Sequence, residues 1–190
     1  MSDATAGKDE LHDYLRFGRD ALLWKLEDLS DYDVRRPMTS TGTNLLGLVK
    51  HVASVACGYF GDCFGRPFPE PLPWFDEGAE PNADLWAAEP RTDITGLWHR
   101  AWAHADATID ALPLEATAVV PWWPAERREP SLHLLLVHMT AEVHRHAGHA
   151  DILRELIDGR VGVRAGNDNM NPVDWPAHVA RLEQVAQGFR

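Results

Sequence analysis

From Ala141 to Gly159 the chain reads AEVHRHAGHADILRELIDG, setting His144, His146 and His149 beside Glu142 and Arg145 in a stretch with helical hydrophobic spacing. Imidazole and carboxylate ligate zinc and similar divalent ions, and residues i and i+4 of a helix converge on one point. Glu142 and His146 have that spacing. At roughly 100° per residue, His138, Glu142, Arg145, His146 and His149 share an arc of about 100°. Leu135, Met139, Leu153 and Leu156 lie on the same side, so the polar stripe sits within the apolar face, whereas His144 points away toward solvent. Inward-facing ionisable groups are costly unless paired or metal-bound. Two arrangements meet that cost. In one, Glu142 pairs with Arg145 or Arg154 and the histidines bond one another. In the other, the stripe holds a divalent metal. A pair from one helix leaves a catalytic metal one protein ligand short, and His51, beside the stripe of Leu48, Val52, Val55 and Tyr59, is the candidate third. By position alone His51 also reads as a hydrogen-bonded core histidine.

Long helices must position these groups. Apolar periodicity marks bundle helices over roughly 8–29, 44–64, 93–112 and 132–158, with a short C-terminal helix from about 176 to 188. Thr43 or Asn44 caps the second, Gly65 and Pro67 stop it, and Gly159 ends the fourth. No stretch alternates with the period of a strand. The Pro-rich segment from Arg66 to Trp86 reads as a long crossover connection that carries functional residues. The expected architecture is a single all-α domain, 1–190, folded as a four-helix bundle with one long crossover and a short C-terminal helix. Leu97, Trp98, Trp102 and Ile109 are expected to face inward, as are Leu11, Leu15, Phe17, Leu22, Leu23 and Leu26; Trp122 and Trp123, in PWWP, read as core or as the wall of a pocket. Cys57 and Cys63 are six residues apart on one expected helix and point in different directions, so no disulfide is expected.

A formal net charge of −11 with no basic cluster argues against nucleic acid as a partner. No apolar run is long enough to span a bilayer, and the opening segment has no secretory pattern, so the expected setting is cytoplasmic. Glu142 precedes His146 by four residues, an order that does not match H-E-x-x-H, and the chain lacks G-x-S-x-G, P-loop and G-x-G-x-x-G signatures.

Three stretches carry a family resemblance: TGTNLLGLVKHVA, the PWW before the last bundle helix, and VHMTAEVHRHAGHADILRELIDG. On these the chain resembles the DinB/YfiT-like superfamily of metal-binding four-helix bundles, in the branch near mycothiol-dependent maleylpyruvate isomerase. The resemblance implies metal ligands at His51, Glu142 and His146, the residues that the helical wheel nominates. It places His138 at a frequent non-ligand histidine and Ala56 where relatives often carry an acidic residue. His149 would orient a ligand, line the pocket or simply pack. The resemblance also implies a homodimer and a small-molecule substrate. The metal is expected to be zinc, with nickel, iron and manganese also suited to the donor set. A low-molecular-weight thiol of the mycothiol or bacillithiol type is the implied co-substrate, held as thiolate for attack on an electrophilic carbon in thiol-S-transfer or thiol-dependent isomerisation. Arg145, His149 or Arg154 would then help to neutralise the substrate, unless Arg154 pairs with Asp158 on a solvated face. Two other readings use the same residues: a non-catalytic, stress-related metal-binding bundle or scaffold, and a hydrolase acting through metal-bound water.

Overall fold

The computed structural model describes residues 3–190, with side chains from Ala6 onward; Met1 and Ser2 of the opening segment lie outside the described residues. Five α-helices follow one another: α1 (Asp3–Trp24), α2 (Leu45–Phe60), α3 (Arg91–Ala111), α4 (Leu132–Asp158) and α5 (Trp175–Gln187). No strand occurs among the described residues beyond isolated bridges. The protein is all-α, as its periodicity predicts.

The first four helices form the bundle. α2 packs most extensively on α3 and α1 on α4, and the α2–α4 seam joins the two pairs. Side-chain contacts give the directions. Lys8 reaches the carbonyl of Leu112 and Arg91 that of Leu29, so α1 and α3 are antiparallel. Glu142 and His146 face His51 while His138 faces Tyr59, so α2 and α4 are antiparallel as well. Lys50 early in α2 bonds Glu89 just before α3, and Arg66 beyond α2 bonds Thr108 late in α3, so α2 and α3 run the same way, which requires the long crossover between them.

Local chemistry sets the ends. The side chain of Asn44 accepts from the backbone N–H of Gly47 and caps α2; that of Ser131 accepts from Leu134 and caps α4. α2 stops at Phe60, four residues before the end expected from sequence, because the chain folds back at Gly61. A Cβ there would meet the Cys57 carbonyl oxygen at 2.3 Å. α1 stops at Trp24, five residues before its expected end. The free carbonyls beyond it are taken by side chains: Arg154 donates to Lys25 and Glu27, and Arg91 to Leu26 and Leu29.

Leu97, Trp98, Trp102 and Ile109 are buried, with Leu15, Leu22 and Leu26. Phe17 is not, contrary to its expected place in the core. It is half exposed and stacks on His144 of α4, which is itself half-buried against α1 with Nε2 3.1 Å from the Tyr14 carbonyl rather than free in solvent. The other departure is Arg154. It pairs bidentately with Asp158, as sequence allowed, but it is fully buried, because the end of α1 covers it. α5 buries no residue. No described helix is long and apolar enough to cross a membrane.

Candidate metal centre

The buried arc of α4, through Leu135, Met139, Val143, Ala150 and Leu153, is centred about 80° round the helix from Glu142. Glu142 therefore sits at its rim and His146 just inside it. On the outer side of that rim, Arg145, His149, Ile152 and Leu156 are exposed. Arg145 makes no hydrogen bond or ion pair among the described residues and does not line the neighbouring cavity.

Across the seam, α2 brings His51 to this rim. One donor atom from each of His51, Glu142 and His146 lies within 4.8 Å of the other two. Nε2 of His146 is 3.0 Å, and Nε2 of His51 3.6 Å, from the same carboxylate oxygen, Oε1 of Glu142. The imidazoles meet edge to face with centroids 4.9 Å apart. Neither Arg145 nor Arg154 contacts Glu142, so the arginine-paired network that sequence left open is not formed.

The groups that hold His51 come from the crossover. Nδ1–H of His51 donates to the carboxylate of Asp84 at 2.6 Å, which orients the ring and turns Nε2 toward Glu142. Asp84 arrives because the loop lies directly on α2. Gly47, one turn before His51, has no side chain, and a Cβ there would sit 1.8 Å from the Leu85 carbonyl oxygen. The buried Lys50 ammonium donates to the carbonyls of Ala83 and Trp86 and to Glu89, and the Asn44 amide donates to that of Leu85. Sequence reasoning assigned function to the crossover but missed Asp84. Its only trace was a glycine and a lysine inside an apolar helix.

Burial lowers the pKa of His146 below the ordinary imidazole range, and the neighbouring His51 adds to the effect, together outweighing Glu142. Burial pushes Glu142 up, but the hydrogen bond with His146 and the nearby His51 imidazole hold it below the usual carboxylate range. A neutral imidazole and an ionised carboxylate are the forms that bind metal. The donor set, its convergence on one point and the carboxylate behind His51 all fit a divalent cation.

His149 and His138 have different surroundings. Nδ1 of the exposed His149 is 3.4 Å from Nδ1 of His146. Both rings line a cavity of about 620 Å³ with Arg35, Thr41, Asn44 and Trp86. His138, one turn before Glu142, meets the aromatic loop instead. Trp122 and Trp123 both donate to the Tyr59 hydroxyl, at 3.2 and 3.1 Å, so its lone pairs are used and its proton goes to Nε2 of His138 at 3.2 Å. His138 is thus the acceptor in an aromatic cluster, in line with a pKa lowered mainly by burial.

Both cysteines are free and buried; burial pushes the Cys57 thiol up to about 12 and the Cys63 thiol to about 11. Neither supplies a thiolate near neutral pH.

A family model described as mycothiol-S-transferase matches residues 10–159, the bundle with its crossover and all three converging residues. The chain belongs to the mycothiol S-transferase family. A search among curated proteins found no match. The family match agrees with the resemblance read from the sequence, and it concerns a thiol and its transfer.

Proposed function

We propose that the protein is a divalent-metal-dependent thiol S-transferase, with the metal held by His51, Glu142 and His146. The observation that carries the reading is the convergence of these three side chains on one point inside the matched family span. Zinc is the metal first expected from two imidazoles and a carboxylate. Bound there, such an ion supplies open coordination positions and lowers the pKa of a ligating thiol.

The chain's own residues prepare that arrangement. Asp84 orients His51 through Nδ1. With Nε2 of His146 turned to the metal, its Nδ1–H donates to His149, so each imidazole ligand has an orienting partner. The adjacent cavity, with Arg35, Thr41 and Asn44 in its wall, receives the polar body of a mycothiol-type thiol. The thiolate sulfur forms a bond to an electrophilic carbon, the bond from that carbon to its leaving group breaks with the electron pair on the leaving group, and the thiol proton passes to water. With both cysteines buried and protonated, the sulfur comes from the co-substrate. A homodimeric assembly belongs to this proposal on the strength of the superfamily resemblance, beside the cytoplasmic setting expected from the sequence, and sedimentation in solution tests the assembly.

The test pairs elemental analysis with a conjugation assay. The wild-type protein should carry close to one divalent ion per chain and conjugate mycothiol to a model electrophile. Glu142→Ala and His146→Ala should lose both properties while staying helical. Unchanged metal content in both variants would overturn the ligand set. Turnover without thiol would favour a hydrolase, and metal without turnover a binding protein.

A further inference from the structure

A second cavity, of about 410 Å³, opens toward the C-terminal end of α2, walled by Val55, Gly58 and Tyr59 of α2, Leu72 and Phe75 of the crossover, and Trp122. From this we infer that the second cavity is the subsite for the electrophile and that it selects neutral, apolar, aromatic electrophiles over anionic ones. The inference rests on the thiol-transfer reading for its chemistry, and on the cavity's own walls for its selectivity.

Position is the first argument. Val55 follows His51 by four residues, about 6 Å along the helix axis. Tyr59 bonds to His138, one turn before Glu142. Val55 is the residue of this wall one turn from His51, so the cavity lies on the opposite side of His51 along α2 from the cavity lined by Leu48, His146 and His149. Thiol and electrophile then approach the centre from two directions.

Chemistry is the second. The polar groups in this wall are engaged within the protein. Tyr59 uses its hydroxyl proton and both lone pairs on His138, Trp122 and Trp123. The Ser54 hydroxyl donates to the Lys50 carbonyl and accepts from Trp74. A ligand meets carbon surface and aromatic faces, and Phe75 and Trp122 are 53% and 56% exposed, leaving apolar area to cover. The one formal charge is the exposed carboxylate of Asp62, and no Lys, Arg or His lines the cavity. An anionic ligand would lose hydration without gaining a cation, and would face a like charge.

Chlorodinitrobenzene and its carboxylated analogue, chlorodinitrobenzoate, form a matched pair of probes. With either, mycothiol's sulfur forms the C–S bond at the ring carbon, the C–Cl bond breaks with its pair on chloride, and the thiol proton goes to water. Metal-loaded protein should give a kcat/KM at least about tenfold higher for the neutral probe after correction for uncatalysed rates. Gly58→Leu projects into the cavity, since a Cβ at Gly58 already lies 3.5 Å from the Trp122 ring. It should raise KM for the neutral probe about tenfold and leave KM for mycothiol unchanged. Asp62→Lys, at an exposed position, should narrow the preference several-fold. Binding of unreactive dinitrotoluene, followed by quenching of tryptophan fluorescence, needs neither metal nor turnover and should weaken in Gly58→Leu. Equal rates for the two probes, or dinitrotoluene binding unaltered in a folded Gly58→Leu, would overturn the subsite. Saturable dinitrotoluene binding that Gly58→Leu weakens, without any conjugation, would support the cavity's selectivity and instead refute the thiol-transfer reading.

Discussion

α4 carries two clusters of polar groups about two turns apart, and they are completed in different ways. At its C-terminal end Arg154 is fully buried, and its guanidinium donates to both oxygens of Asp158 and to the carbonyls of Lys25 and Glu27. That cluster is closed: its charge is matched by a carboxylate and its donors by acceptors. Midway along the helix, the Glu142 carboxylate meets only two imidazoles, both through one oxygen. That cluster is open, at the rim of the buried arc and beside a cavity. One arrangement spends its interactions on holding the fold; the other leaves donor atoms facing one another, as the proposed metal requires. Asp106, between His12 and Arg19 at 2.7 Å each, is a second closed case.

Breaking the closed cluster should produce the largest change in stability. Arg154→Met removes the bidentate partner of Asp158, which keeps only Arg160, and leaves carbonyls at the end of α1 unsatisfied, and should lower unfolding free energy by about 3–5 kcal/mol in denaturant titrations. The folded fraction should bind metal as before. Glu142→Ala should do the reverse, weakening metal affinity by at least about 100-fold in competition with a chelator, with the metal-free protein changing by less than about 1 kcal/mol.

The next effect sharpens the contrast through pH. Burial pushes the Asp106 carboxyl up, but His12 and Arg19 outweigh it and hold its pKa at about 2. A carboxyl depressed in the folded state contributes stability that is fully present above its unfolded pKa of about 3.9 and is lost as pH falls toward the folded value. Melting of the metal-free wild type should therefore fall between about pH 4 and pH 2, and Asp106→Asn should remove about 2 kcal/mol at neutral pH and flatten that dependence. Asp84→Asn tests the orienting carboxylate behind His51: metal affinity should fall by about tenfold, with little change in melting. Tyr59→Phe should be mildest, costing about 1 kcal/mol of stability and leaving metal affinity unchanged, because the hydroxyl serves His138 and two tryptophans rather than the centre.

The same contrast explains what could be read from the sequence. α4 spans Leu132–Asp158, as its apolar repeat and Gly159 indicate. The i, i+4 geometry of Glu142 and His146 and the inward place of His51 are properties of single helices, so they were legible. Arg145, Ile152 and Leu156 share the polar stripe's side of the wheel yet are exposed, because a wheel gives the angle between residues and not the direction of the neighbouring helices. Arg154 looked solvated for the same reason, since its cover comes from the end of α1. Asp84 left no periodic signal at all. It reaches His51 through an irregular loop whose course is set by the missing side chain of Gly47 and the clamp of Lys50.

The central claim is that His51, Glu142 and His146 hold a metal that takes a thiol. Cobalt(II) substituted into the metal-free protein reports on it directly, because a thiolate bound to cobalt gives an intense near-ultraviolet charge-transfer band. Addition of mycothiol to the cobalt protein should produce that band saturably, and Glu142→Ala and His146→Ala should not show it. A cobalt-loaded wild type whose spectrum does not respond to the thiol would contradict the account.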